Sequence, residues 1–224
     1  MLRAALPFRA HAPQAAAPAP SPVHATLPLA LFEAVRVLDL PPGADLDAFH
    51  RELTIKRLGT SPTVVAQISR YTRLAENRDT VPADELVAVL RLMSRRADAS
   101  LVFADGGRRA GRRAVRLTSM MARGLWRLLP TGARQGLGFR LAASAARRVL
   151  GVDLHAGPAG PEATLRQPLG VQATADGAAC AFYGSAVAEL LRAFTAFDGA
   201  LFHVQCCARG GVACRWRAVP GEGS

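Results

Sequence analysis

All four cysteines of this chain fall in its last 45 residues, at Cys180, Cys206, Cys207 and Cys214. Three of them share the short segment Phe202-His203-Val204-Gln205-Cys206-Cys207-Ala208-Arg209-Gly210-Gly211-Val212-Ala213-Cys214-Arg215-Trp216. Any fold must accommodate soft ligands gathered around the Gly210-Gly211 turn, with an imidazole three residues before the cysteine pair. Thiolates and imidazole suit Zn²⁺, which takes both in a tetrahedron. Cys180 stands ahead of a helical pattern and can reach the same point from elsewhere in the fold. The opening residues, Met1 to Phe8, lack a continuous apolar stretch of the signal-peptide kind. The expected compartment is therefore the cytoplasm, with reduced thiols, metal-bound or buried, rather than disulfides.

At 224 residues the chain is long enough for one domain with a substantial core, and half of it is hydrophobic. The formal net charge of +11 is carried almost wholly by arginine, since Lys56 is the only lysine. Such a bias can reflect genome composition, so it counts only in part as a functional signal. No apolar run approaches the roughly 20 residues that span a bilayer.

Residues 1–26 are rich in Ala and Pro and cannot bury enough surface to offset their ordering entropy; they read as a disordered tail. From Leu27 the periodicity is helical, with Leu31, Phe32, Val35 and Leu38 on one face. Helices are expected over 45–57, over 61–74 behind Ser61-Pro62, and from Pro82 with Leu86, Val89, Leu90 and Met93 aligned. The run Ala99-Ser100-Leu101-Val102-Phe103 fits a strand or the start of a helix. Two basic helices follow, at about 107–129 and 132–150. Gly157-Pro158-Ala159-Gly160-Pro161 reads as a loop and an internal boundary. Beyond it come one or two strands over 164–174, an amphipathic helix over 185–197, and a hairpin of 200–206 with 212–219. Helices first and a small antiparallel sheet last define an α+β fold ending in a C-terminal hairpin. The sequence divides into the tail, an N-terminal helical segment over 27–98 and a ligand-binding domain over 99–220.

The tail from Cys180-Ala181-Phe182-Tyr183-Gly184 to Cys206-Cys207-Ala208-Arg209-Gly210 and Cys214-Arg215-Trp216 resembles the 4-vinyl-reductase domain family. That family includes sensor domains of phenol- and xylene-responsive activators and is related to subunits of vesicle-tethering complexes. The specific likeness covers about 40 residues, and its doubled cysteine is closest to the bacteriochlorophyll branch. Val102 to Gly111 resembles, more weakly, the family's strand–glycine–helix segment. The resemblance implies a homodimeric domain that binds a hydrophobic small molecule, in this branch a tetrapyrrole precursor of (bacterio)chlorophyll synthesis, as an accessory protein. A true vinyl reductase and a ligand sensor are the rival readings. It also implies a zinc site formed by Cys180, Cys206 and Cys214, with His203 at the position where the sensor branch has a carboxylate. Strand alternation opposes this register, because His203 would share a face with Cys207 while Cys206 points away. His203 and Cys206 converge only if the strand bulges or ends there.

The arginine-rich stretch places Arg108, Arg112 and Arg116 along one helix side. Without a helix-turn-helix pattern or interleaved aromatics it reads as a solvated face or a dock for an acidic group, with Arg108 and Arg112 as anion-binding candidates, and not as a nucleic-acid surface. Met120, Trp126, Phe139 and Tyr183 are candidates for lining an apolar ligand pocket, with core or dimer interface as the structural alternative. Gly106-Gly107 and Gly136-Leu137-Gly138 form no dinucleotide fingerprint, and no phosphate-binding loop or HExxH occurs, so no nucleotide-cofactor motif is present.

Overall fold

The fold is given by a computed structural model that describes residues 21–39, 62–118 and 130–221. The helix expected over 45–57 and the side chains of Met120 and Trp126 lie outside the described residues. Among those described, seven α-helices and two antiparallel sheets form the α+β fold. Strand β1 (Val23–His24) leads into α1 (Thr26–Leu38). Helix α2 (Pro62–Glu76), strand β2 (Thr80–Val81) and α3 (Ala83–Met93) follow. Helix α4 (Ala99–Leu117) and α5 (Thr131–Ala145) complete the helical half, α5 running into a wider turn at Ala146–Leu150. The second half holds β3 (Asp153–Gly157), β4 (Gly160–Leu165), α6 (Leu169–Ala173), α7 (Cys180–Thr195), β5 (Gly199–Gln205) and β6 (Cys214–Pro220).

Helix α7 is the axis of the molecule. Ten of its residues, including Phe182, Tyr183, Leu190, Leu191 and Phe194, are buried. One side lies along α4, where Gly107, Ala110, Gly111 and Ala114 form a stripe of small buried residues at helical spacing. A Cβ on Gly107 would come within 2.7 Å of the Ser185 Cβ and 3.1 Å of the Ala186 backbone nitrogen. One on Gly111 would lie 2.7 Å from the Ala186 carbonyl oxygen. The two glycines thus let the backbones approach more closely than any side chain permits. The other side of α7 faces the four-stranded sheet, ordered β3-β4-β6-β5. Along β6, Cys214, Trp216 and Ala218 point inward while Arg215 and Arg217 face out. Gly184 leaves room for Trp216, whose Nε1 would sit 2.9 Å from an added Cβ.

Several expectations are corrected. Of the two readings of Ala99 to Phe103 the start of a helix holds, so α4 begins eight residues before the expected 107, and its described part ends at Leu117. The strand–glycine–helix likeness of Val102 to Gly111 does not hold, because the segment is one helix whose glycines serve packing. Residues 157–161 are not a boundary. Gly157 and Gly160 pair as the closing turn of a β3–β4 hairpin. Pro161 is tolerated because β4 pairs with β6 only from Glu162 onward. The second strand expected over 164–174 is instead helix α6. Segments 27–98 and 99–220 share one core, in which Leu31, Leu86 and Leu90 join Phe103, Leu190 and Trp216.

The N-terminal tail also ends sooner than its composition suggests. Val23 pairs with Val81 and His24 with Thr80, and Ala25 is fully buried. Deleting residues 1–20 should leave the melting temperature unchanged, whereas deleting 1–25 should lower it by several degrees. Thermal melts of the two truncations check this.

His24 also caps α1. Its Nδ1 accepts the Thr26 N–H at 3.1 Å, which only the ring deprotonated at that nitrogen can do. Burial, and secondarily the Arg78 charge, lower its pKa below 6.5. The folded state therefore binds fewer protons than the unfolded chain just below pH 6.5, so stability is present above that pH and falls as pH drops toward the folded pKa. His24→Asn, which keeps an acceptor that does not titrate in this range, should flatten the acid-side loss in a pH series of melting temperatures.

Candidate metal centre

Three elements converge at the end of the sheet. Cys180 is the first residue of α7, where the helix N-terminus favours a thiolate. That terminus is tied down by Thr174, whose Oγ1 accepts the Ala179 N–H at 3.1 Å. Cys206 follows the last residue of β5, and Cys214 opens β6. Between them a single 3₁₀ turn, Cys207–Arg209, is closed by two N–H groups that donate to the Cys206 carbonyl at 3.0 Å, from Arg209 and Gly211. Gly210 takes a positive φ of 81° to complete it.

The ligand atoms of Cys180, His203, Cys206 and Cys214 all lie within 4.8 Å of one another. Cys214 Sγ is 3.8 Å from both Cys180 Sγ and Cys206 Sγ. A disulfide needs about 2.05 Å, so these are separate thiols. A tetrahedron with metal–sulfur bonds of about 2.3 Å has edges of about 3.8 Å, so the thiols already stand at coordination spacing. Cys180, Cys206 and Cys214 are buried, and Cys207 lies outside the cluster, half-buried. Its contribution is its backbone N–H, 3.5 Å from Cys214 Sγ.

The conflict between strand alternation and the ligand register is resolved by a bulge. His203 pairs with Trp216 and Gln205 with Arg215, leaving Val204 as the extra residue. Val204 is turned to solvent and β5 ends one residue later, so Cys206 swings inward beside His203. The imidazole stacks on the Trp216 ring with centroids 4.8 Å apart and planes 12° from parallel. His203 Nε2 is buried and has no hydrogen-bond partner. An orphaned buried nitrogen is costly and uncommon, and a metal ion would satisfy it. Burial, then the Arg209 charge, lowers the pKa of the imidazole, against a backbone hydrogen bond at Gln205. The ring therefore favours the neutral form that a metal requires. Burial pushes the thiols the other way. Cys180 is raised by desolvation first and then by Cys214, and Cys214 is raised to about 11, again chiefly by desolvation. Without a cation these thiols stay protonated, and a bound dication would reverse that.

No protein-family model, curated protein or solved structure matches the chain.

The remaining candidates are dispersed. Tyr183, one turn beyond Cys180, is 1% exposed and meets Phe182 edge-on at 5.3 Å. It lines a cleft of about 320 Å³ with Val23, Leu150, Leu165 and Leu169. Phe139 is half-buried against the main core. Arg108 lies 3.4 Å from Asp105, and Arg112 lies 2.8 Å from Glu189. Arg113 pairs with Glu33, and Arg109 with Asp105 at 2.5 Å. Most of this stripe thus meets carboxylates, two of them, Glu33 and Glu189, remote in sequence and invisible to a local reading. No helix among the described residues is long and apolar enough to cross a membrane.

Proposed function

We propose that the protein is a zinc-clasped, ligand-binding domain of the 4-vinyl-reductase type, whose ligand is a hydrophobic small molecule of (bacterio)chlorophyll synthesis. The observation that carries the metal half is the convergence of three thiols and the unpartnered His203 Nε2. Three sulfurs and one nitrogen in a tetrahedron select zinc over harder divalent ions. Four protein ligands leave no open position, so the ion is a structural clasp joining α7 to the β5–β6 hairpin and not a reaction centre.

The ligand half rests on the resemblance of the cysteine tail. Of the binding region expected from it, between the sheet and 120–139, residues 120–129 lie outside the described residues. An accessory or carrier role for a tetrapyrrole precursor, as a homodimer, is what the bacteriochlorophyll branch of that resemblance implies.

Two measurements test the reading. Elemental analysis of protein purified without chelator should give one zinc per chain. Titration with a protochlorophyllide-type pigment should give a saturable absorbance shift. Metal-free protein that is fully folded removes the clasp, and a linear, non-saturating titration removes the tetrapyrrole.

A further inference from the structure

The outer face of the β5–β6 hairpin is apolar and basic, where a sheet face that meets only water is polar. From Ala200 to Val204, β5 turns only apolar residues out: Ala200, Phe202 at 54% exposure and Val204 at 51%. Val219 of β6 joins them beside Ala200, and Val212 stands 84% exposed in the loop between the strands. Single exposed apolar side chains are ordinary. Here four of the nine large ones among the described residues gather on one hairpin. The charge is equally one-sided. Residues 199–221 hold three arginines, Arg209, Arg215 and Arg217, all exposed, and no Asp or Glu. Arg217 pairs with Glu162 at 3.0 Å, whereas Arg209 and Arg215 form no ion pair among the described residues. Basic and apolar groups interleave: Arg217 sits opposite Phe202, and Arg209 lines one groove with Val204. Asp198, the acid that precedes β5, stands at the end of the hairpin away from this loop.

We propose that this face docks on an anionic lipid surface, with Val212, Phe202 and Val204 entering the acyl boundary and Arg209 and Arg215 meeting lipid phosphates. The docking face is independent of any small-molecule ligand. Its chemistry selects lipid among acidic partners. A single-stranded nucleic acid needs several aromatic platforms, and this face carries one phenyl ring. A protein interface is anchored by large side chains seated in shaped pockets. A valine projecting from a loop tip needs no shaped pocket in a fluid acyl layer, and guanidinium groups beside it gain from the negative surface potential. Cys206 and Cys214 stand at the two feet of this loop, so the clasp proposed above presents Val212 on a braced turn.

Co-sedimentation of the full chain with vesicles of phosphatidylcholine alone, and of phosphatidylcholine mixed with phosphatidylglycerol, tests this. Binding should be saturable on the mixed vesicles and absent on the neutral ones. Arg209→Gln with Arg215→Gln should weaken it by about 25-fold, about fivefold for each charge. Val212→Ser with Phe202→Ser should weaken it by about tenfold, although the charge is unchanged. Val212→Trp should add an emission that shifts to the blue on mixed vesicles and is quenched by brominated acyl chains. These side chains are exposed, so melting temperatures should stay at the parent value. Arg73→Gln with Arg140→Gln, exposed on α2 and α5, is the charge-matched control and should change binding little at physiological salt. No binding to mixed vesicles, an unshifted Val212→Trp emission, or an equal loss in the control overturns the proposal. Retention of poly(dT) or polyglutamate by Arg209 and Arg215 without vesicle binding also overturns it, and leaves an acidic polymer as the partner.

Discussion

Cys214→Ser should strip the protein of its metal and of its fold together. Cys214 stands 3.8 Å from both neighbouring sulfurs and is fully buried. Serine offers a shorter, harder ligand that ionises far less readily than a thiol. In zinc-finger peptides a structural site contributes roughly 10–16 kcal/mol to folding. A whole domain is stable by only about 5–15 kcal/mol, so a damaged clasp is enough to unfold it. The variant should be recovered as aggregate or as metal-free protein without a cooperative melt. Cys207→Ser is the matched control, because the site uses only the backbone N–H of Cys207, which serine retains. It should keep one zinc and melt within a few degrees of the parent. Elemental analysis and thermal melting of the pair decide the matter. A Cys214→Ser protein with full metal and an unchanged melt would refute the clasp, and metal loss in Cys207→Ser alone would mean the register is shifted by one residue.

The α+β class and the convergence of Cys180, His203, Cys206 and Cys214 were both legible in the sequence. Soft ligands of low natural abundance, bunched in one tail, left few ways to be placed, and alternation of side chains along a strand predicted that a bulge or a strand end was required near Cys206. The structure has both, at Val204 and Gln205. Helices with clean apolar stripes, 62–76 and 83–93, were legible for the same reason: their burial follows one period. What failed was where local preference and tertiary use diverge. Composition leaves Ala99 to Phe103 open between a strand and a helix start, and the core decides for the helix, with Val102 and Phe103 burying beside Leu31 and Leu190. Gly157-Pro158-Ala159-Gly160 has the composition of a linker, yet closes a hairpin whose strands come from either side. Two-residue strands such as Val23–His24 carry no periodicity at all, and only their distant partner defines them. The ion pairs of the arginine stripe depend likewise on Glu33 and Glu189, which the fold alone brings close.

The same glycine-to-alanine change should have opposite signs at two places in the helices. At Gly136, exposed on α5, an added Cβ would meet nothing within 4 Å. Alanine there should stabilise the protein by about 0.5–1 kcal/mol by restricting the unfolded chain and favouring helix. At Gly107 the added carbon falls inside the Phe182 carbonyl oxygen and within 2.7 Å of the Ser185 Cβ. The obstacle is the backbone of α7, not the end of a flexible side chain, so relief requires separating the two helices. Overpacking that a core can absorb costs about 1–3 kcal/mol, and a displaced helix pair costs more. Helix α7 carries Cys180 at its start and Tyr183 one turn later, so its displacement opens the metal centre as well. Gly106→Ala is the intermediate case, since its obstacle is the Leu31 Cδ2 at 3.1 Å, a side-chain end that can turn aside. Melting temperatures should therefore rank Gly136→Ala above the parent, Gly106→Ala slightly below it, and Gly107→Ala far below. The zinc content of Gly107→Ala should fall with its stability. Equal melts for Gly106→Ala and Gly107→Ala would show that the approach of α4 to α7 is looser than the glycine stripe requires.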